Sequence, residues 1–368
     1  MIYVHVPFCR SFCTYCDFYS ETVCKGKDGK TMDGYVDCVC AEIAARKDEI
    51  RHTSSWNTLY FGGGTPSVLP LSSFSRIVHA LPLKGFTEFT VEVNPDDILE
   101  KGRDYIDSLR SLGVNRISMG VQSFDDVVLK WMNRRHDSEG AALAFRSLRN
   151  SGIGNISIDL IFGLGKIEGA DPDHFWKTLE RFIALRPEHI SAYQLSIEEG
   201  SALARMVEDG RYKEASDEEC RSQYDLVCKR LSEAGYVHYE VSNWALPGYQ
   251  AKHNSAYWSR QPYTGLGPGA HSFAILPGGR QQRSWNTEEL RFWARSSENL
   301  TAEDIRVERI MLGLRTAEGL PAGELRSLCE PQILEEAVAN GCLVEEGDRL
   351  RIPEDHFFVS DSIIRDLI

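Results

Sequence analysis

YVHVPFCRSFCTYCDF, Tyr3 to Phe18, sets the reading of the whole chain. A short β-branched run leads straight into Cys9, Cys13 and Cys16, a C-x3-C-x2-C array. Thiolates are soft ligands that suit iron–sulfur clusters and zinc. A closed cluster or a structural zinc site takes four protein ligands. Here the local supply stops at three, because Asp17 and Phe18 follow where a fourth cysteine could stand. Three thiolates on a [4Fe–4S] cluster leave one iron open to a small chelating cofactor. The plainer alternatives are a zinc knuckle borrowing a distant Cys or His, and three unrelated thiols. Spacing of this kind directly after a strand favours the cluster.

Outward from this segment the chain alternates. Candidate strands are Ile2–Val6, Thr58–Phe61, Glu88–Val93, Arg116–Met119, Ser157–Phe162 and Ile190–Leu195. Helical periodicity lies between and after them, near residues 33–51, 70–80, 97–112, 138–151, 172–185 and 215–234. Such alternation implies a parallel sheet with right-handed crossovers. Six units without a clear seventh or eighth predict an α/β fold, an incomplete (β/α)6 barrel. Function in barrels gathers at the C-terminal ends of the strands. Further on, helical patterns near 301–314, 321–329 and 330–340 precede two strand-like runs, Leu343–Glu345 and Arg349–Ile352. Together they predict a small α+β winged-helix-like unit. The expected division is a barrel over 1–235, an aromatic and glycine-rich connecting region over 236–299, and the C-terminal unit over 300–368.

The composition narrows the partners. A chain of 368 residues with net charge −13 lacks the clustered cations that phosphate backbones require, which argues against nucleic acid. No apolar run approaches the ~20 residues that span a bilayer. The cysteine motif starts so early that a cleavable leader has no room, so a cytoplasmic location is expected. Of ten cysteines, seven (Cys24, Cys38, Cys40, Cys220, Cys228, Cys329 and Cys342) have no ligand-like context. Cys38 and Cys40 fall inside a predicted helix, where neighbours two apart face different ways.

The cysteine spacing, with aromatic Tyr15 beside Cys16, resembles the radical S-adenosylmethionine superfamily. YVHVPFC before it and CDF after it resemble the branch that holds oxygen-independent coproporphyrinogen III oxidase and the HemW-type heme chaperone. The oxidase carries C-x-C where this chain has Cys16-Asp17-Phe18, and C-x-F is the chaperone form. The resemblance implies Cys9, Cys13 and Cys16 as cluster ligands and a set of contacts to S-adenosylmethionine. YFGGGTPS resembles the loop that holds the aminoacyl end of that cofactor, through Gly63, Gly64 and Thr65; glycines let backbone amides approach a ligand. Glu92, closing the third strand, is an acceptor for ribose hydroxyls. Gln122 offers both donor and acceptor, and Arg134 matches the family's arginine on the cofactor. Asp159 interrupts an apolar run, so its burial needs a partner. Ser196 follows the sixth strand, where small residues permit close approach, and Tyr3, Tyr15 and Phe18 complete the set. Gly165 stands where relatives carry proline, which predicts a looser loop.

Gly235 to Ser272 is the second informative stretch, rich in glycine and aromatics, with three histidines and little helical period. Long irregular segments tend to be functional. Aromatics beside histidine suit a flat, metal-bearing ligand such as heme. His253-Asn254-Ser255-Ala256-Tyr257-Trp258 matches the HNxxYW motif of the chaperone branch, implying heme contacts at His253, Asn254, Tyr257 and Trp258. His253 is the preferred contact, either as an iron ligand or as a residue that ties down a loop. His5 and His271 read as structural.

Three functions follow in order of preference. The first is a heme chaperone with a three-cysteine [4Fe–4S] cluster, exchangeable S-adenosylmethionine and bound heme. Its partners would be heme-accepting proteins and an electron donor, with peripheral membrane contact through the recipients. The second is oxidative decarboxylation of coproporphyrinogen III, whose enzyme carries an N-terminal extension for which Met1-Ile2 leaves no space. The third is radical chemistry on another substrate, since one fold serves many reactions.

Overall fold

The computed structural model describes residues 1–22, 28–53 and 55–368; Cys24 lies outside them. Six strands run parallel in chain order: β1 (Ile2–Val6), β2 (Thr58–Gly63), β3 (Glu88–Val93), β4 (Arg116–Gln122), β5 (Ile156–Phe162) and β6 (His189–Gln194). Their apolar residues run almost without alternation because helices cover the sheet, as in parallel α/β folds. Val4, Phe61, Val91, Ile117, Ile158 and Ile190 are all fully buried in one core. Each such side chain contributes about 1.5–3 kcal/mol by leaving water. Crossover helices start on sequence signals. Asp125 accepts from Val127 N and Val128 N at the head of Asp126–Trp131, and Asp137 accepts from Gly140 N at the head of Ser138–Asn150. The incomplete barrel anticipated from the alternation is the observed architecture.

Both sheet edges are occupied. A hairpin of β7 (Val237–Glu240) and β8 (Asn243–Ala245) pairs antiparallel with β6, while β9 (Thr264–Leu266) pairs parallel with β1. Between them lies the helix Lys252–Trp258. The expectation of an irregular stretch over 235–272 is therefore corrected. Strands of three or four residues and a seven-residue helix are too short to show a period. Beyond them β10 (His271–Ile275), β11 (Gln281–Asn286) and β12 (Arg295–Asn299) form a separate antiparallel sheet.

The C-terminal unit holds helices Ala302–Leu314, Ala322–Leu328 and Pro331–Ala339, a small three-stranded sheet, and a closing helix Ser360–Leu367 that the sequence reading missed. It joins the β7–β8 edge: Ala317 N donates to Tyr239 O and Val241 N to Arg315 O, both at 3.0 Å. Buried Glu308 also binds Arg260 and Arg283. No residue of this unit lines either cavity described below. Its backbone hydrogen bonds to the barrel run to the sheet edge instead. No helix among the described residues is long and apolar enough to cross a membrane.

Candidate functional site

A cavity of about 490 Å³ opens at the C-terminal ends of the six strands. The cysteine loop forms one wall. Cys9 closes a two-residue strand, Phe8–Cys9, which pairs with Glu21–Thr22; its Sγ lies 3.5 Å from Thr65 Oγ1. Cys13 and Cys16 are half-buried, and all three face the cavity. Burial pushes the Cys16 thiol up to about 11. Among the described residues no three His, Cys, Asp or Glu side chains converge on one ion. Tetrahedral zinc needs such convergence, with each sulfur about 2.3 Å from one centre. All three thiols instead border the one cavity. Arg134 Nη1 reaches Cys13 Sγ at 3.3 Å, placing a cation beside the sulfurs. Tyr15 packs against the same pair.

The glycine run holds this wall by a route the sequence did not suggest. Gly64 N donates to Val6 O at 2.9 Å and Thr65 N to Phe8 O at 2.7 Å, so those amides fasten the cysteine loop to β2. A Cβ on Gly64 would meet Phe8 O at 2.8 Å, and Gly63 has φ +106°. The Gly63 amide favours the ionised Glu92 carboxylate. Expected ligand-facing amides are thus engaged within the protein, although Gly63, Gly64 and Thr65 do line the cavity. Gly165 is corrected as well. Its amide donates to Tyr212 OH at 2.7 Å, and an added Cβ would fall 2.0 Å from Lys213 O, so this loop is clamped.

Strand ends supply the polar floor. Glu92 accepts from Tyr60 OH at 2.7 Å, yet burial, aided by Asp159, pushes its carboxyl up to about 7. Burial likewise raises Asp159 to about 6, against hydrogen bonds from Ser191 and Ser118 and the nearby Arg116 charge. Gln122 sits at φ +70° where the pairing of β4 with β5 slips by a residue. A side chain other than glycine rarely holds that conformation, and such outliers gather at sites. Arg134 Nη2 donates to Asn94 Oδ1 at 2.6 Å and to Gly120 O at 2.5 Å. Gln122 Oε1, Arg134 Nε and Arg116 Nε have no partner among the described residues. Buried polar atoms are normally satisfied, so a polar ligand is the fitting complement.

Ten of the eleven positions expected to contact S-adenosylmethionine meet at this cavity: Tyr15, Phe18, Gly63, Gly64, Thr65, Glu92, Gln122, Arg134, Asp159 and Ser196. Tyr3 instead lines a second cavity, also about 490 Å³. The two share Asp17, Phe18, Tyr60 and Asn254. The sequence reading missed Tyr60, Asn94, Arg116, Ser118, Ser191 and Tyr193. Strand-end position marks several of them, but pointing inward is a property of register in the folded sheet. The donor set therefore fits a thiolate-held cluster with a polar cofactor beside it.

His253, Asn254 and Tyr257 line the second cavity, while Trp258 lines neither. His253 is 1 % exposed. Its Nδ1 pairs with Thr58 Oγ1 at 2.8 Å and its Nε2 with Tyr257 OH at 3.1 Å. Its backbone amide donates to Glu88, and burial lowers the imidazole to about 3. Nδ1 thus ties Lys252–Trp258 to β2 while Nε2 bonds within the helix, so both ring nitrogens are engaged in the loop-fastening role weighed against iron ligation.

A family model described as the radical SAM superfamily matches residues 3–182. The heme chaperone HemW of Mycobacterium tuberculosis H37Rv is 31% identical over 100% of this chain and 94% of its own length. HemW of Escherichia coli K12 is 33% identical over 96% and 94%. Among solved structures, the radical SAM enzyme coproporphyrinogen III oxidase (HemN) of Escherichia coli superposes with a TM-score of 0.79 at 21% identity, covering 100% of this chain and 89% of that one, which bears on the fold. With relatives of that identity matched across nearly their full length, the chain belongs to the HemW heme chaperone family of radical SAM proteins.

Proposed function

We propose that this protein binds heme and passes it to acceptor hemoproteins, holding a [4Fe–4S] cluster on Cys9, Cys13 and Cys16 with S-adenosylmethionine beside it. The observation that carries this reading is the junction of two cavities. A three-thiol polar cavity shares Phe18 and Tyr60 with an aromatic one. Cys16-Asp17-Phe18 offers no fourth thiol at their boundary.

When bound, the cluster and the sulfonium cofactor supply one-electron chemistry. The chain's own residues do the positioning. Arg134 sets positive charge beside Cys13, Glu92 and Asp159 offer acceptors for hydroxyl groups, and Gln122 presents an unused carbonyl oxygen. Acceptor hemoproteins are the partners, and a low-potential electron donor serves the cluster. The cytoplasm is the proposed location.

Anaerobic reconstitution should bring close to four irons per chain, with the cluster's visible absorption lost in Cys9→Ala. Retention of that absorption in the variant counts against the ligand set. Transfer of heme from the loaded protein to an apo-hemoprotein tests the chaperone reading directly. Formation of protoporphyrinogen IX from coproporphyrinogen III with S-adenosylmethionine and a reductant would favour the oxidase instead.

A further inference from the structure

Three imidazoles line the aromatic cavity, and their hydrogen bonding separates them. His5 is spent, with Nδ1 on Tyr3 OH at 3.1 Å and Nε2 on Tyr19 O at 3.0 Å. His253 is spent on Thr58 and Tyr257. His271, at the head of β10, is exposed, and neither ring nitrogen bonds a described residue. Its ring stacks on Trp285 across the strand pair, centroids 6.2 Å apart and planes 25° from parallel, so the imidazole is oriented without using its nitrogens. Iron ligation needs one imidazole nitrogen whose lone pair is not already used within the protein, and of the three only His271 keeps one. The cavity around it fits a flat aromatic guest. Tyr60, Tyr257 and Tyr263 form its side, half-exposed or better Phe18 stands at its border with the thiol cavity, and its volume lies in the range of cofactor sites.

Resting on the heme-carrying reading above, we infer that the porphyrin docks in this aromatic cavity and that His271, not His253, ligates its iron. Tyr257 and His253 then shape the wall, and Phe18 separates the porphyrin from the cofactor cavity. Exposure of His271 suits a cargo that must leave, because the ligand can be exchanged from solvent without opening the core.

Hemin titration of the anaerobically prepared full chain tests this, with His271→Ala, His271→Gln and His253→Gln compared by Soret spectrum, affinity and thermal melting. The expected result is that both His271 variants lose the histidine-ligated Soret band and weaken hemin by about tenfold or more while melting like the parent. Added imidazole should restore the band in His271→Ala. For His253→Gln the melting temperature should fall while the band position is kept. An unchanged band and affinity in both His271 variants overturns the assignment, as does loss of the band in His253→Gln alone. Failure of the unsubstituted chain to bind hemin at all defeats instead the function on which the assignment rests.

Discussion

Glu92 illustrates how burial beside the cavity shapes single residues. Its carboxyl is raised from 4.5 to about 7 by burial. Between those values the folded chain holds more protons at Glu92 than the unfolded one, so this group's contribution to stability is fully present below about pH 4.5 and is lost as pH rises through about 7. Glu92→Gln should flatten that decline and stabilise the ligand-free protein at pH 8 by on the order of 1–3 kcal/mol. The same change should weaken S-adenosylmethionine. Thermal melts between pH 4.5 and 8 and equilibrium dialysis check both; a variant less stable at pH 8 contradicts the burial account. Arg134→Met removes the cation from Cys13 while leaving the three thiols, so cluster should still assemble but S-adenosylmethionine should bind more weakly, read by the perturbation of the cluster's EPR signal on cofactor addition. The cysteines and Asp159 were legible from residue type alone, because three thiols in an array and a charge inside an apolar run are rare in themselves. Arg116 and Tyr193 were not, since an arginine or tyrosine in a strand carries no mark of which face it takes.

At the scale of elements, the glycine run is a buckle between β2 and the cysteine loop. Gly64→Ala places a methyl 2.8–2.9 Å from backbone atoms of Phe8 and Val6, none of which can rotate away. A cost of about 1–3 kcal/mol is expected, together with weaker cluster retention, measured by denaturation and by iron content after gel filtration. Parent-like stability would show that the loop relaxes more readily than its hydrogen bonds suggest. That a special loop follows β2 was readable from three consecutive glycines. That its amides face the protein was not, because the acceptors Val6 O and Phe8 O lie a whole βα unit upstream. Likewise β9 sits beside β1 although most of the barrel lies between them in sequence, a pairing no local period encodes.

Across the whole molecule, the C-terminal unit is held by a buried charge cluster. Glu308 accepts from Arg260 at 3.1 Å through Nε and also binds Arg283, and the Arg260 and Glu308 side chains are 6% and 12% exposed. Removing the carboxylate leaves Arg260 uncompensated. Glu308→Ala should cost about 3–5 kcal/mol, seen as a lower urea midpoint or as an early unfolding step confined to the C-terminal unit. Because that unit lines neither cavity, cluster content should persist where the protein remains folded. Loss of cluster in a folded variant would reveal coupling between the two regions.

Residue order alone determined the six-unit barrel and the three-cysteine loop, because each depends on local period or on residues close together in the chain, while most of the cavity wall was expected only through the family resemblance. Tertiary structure decided the rest: which amides are already spent, which strands close the sheet, where the C-terminal unit rests, and which imidazole keeps its nitrogens. Those outcomes depend on partners distant in sequence. A hydrogen bond is satisfied or left open only once the chain has brought both ends together.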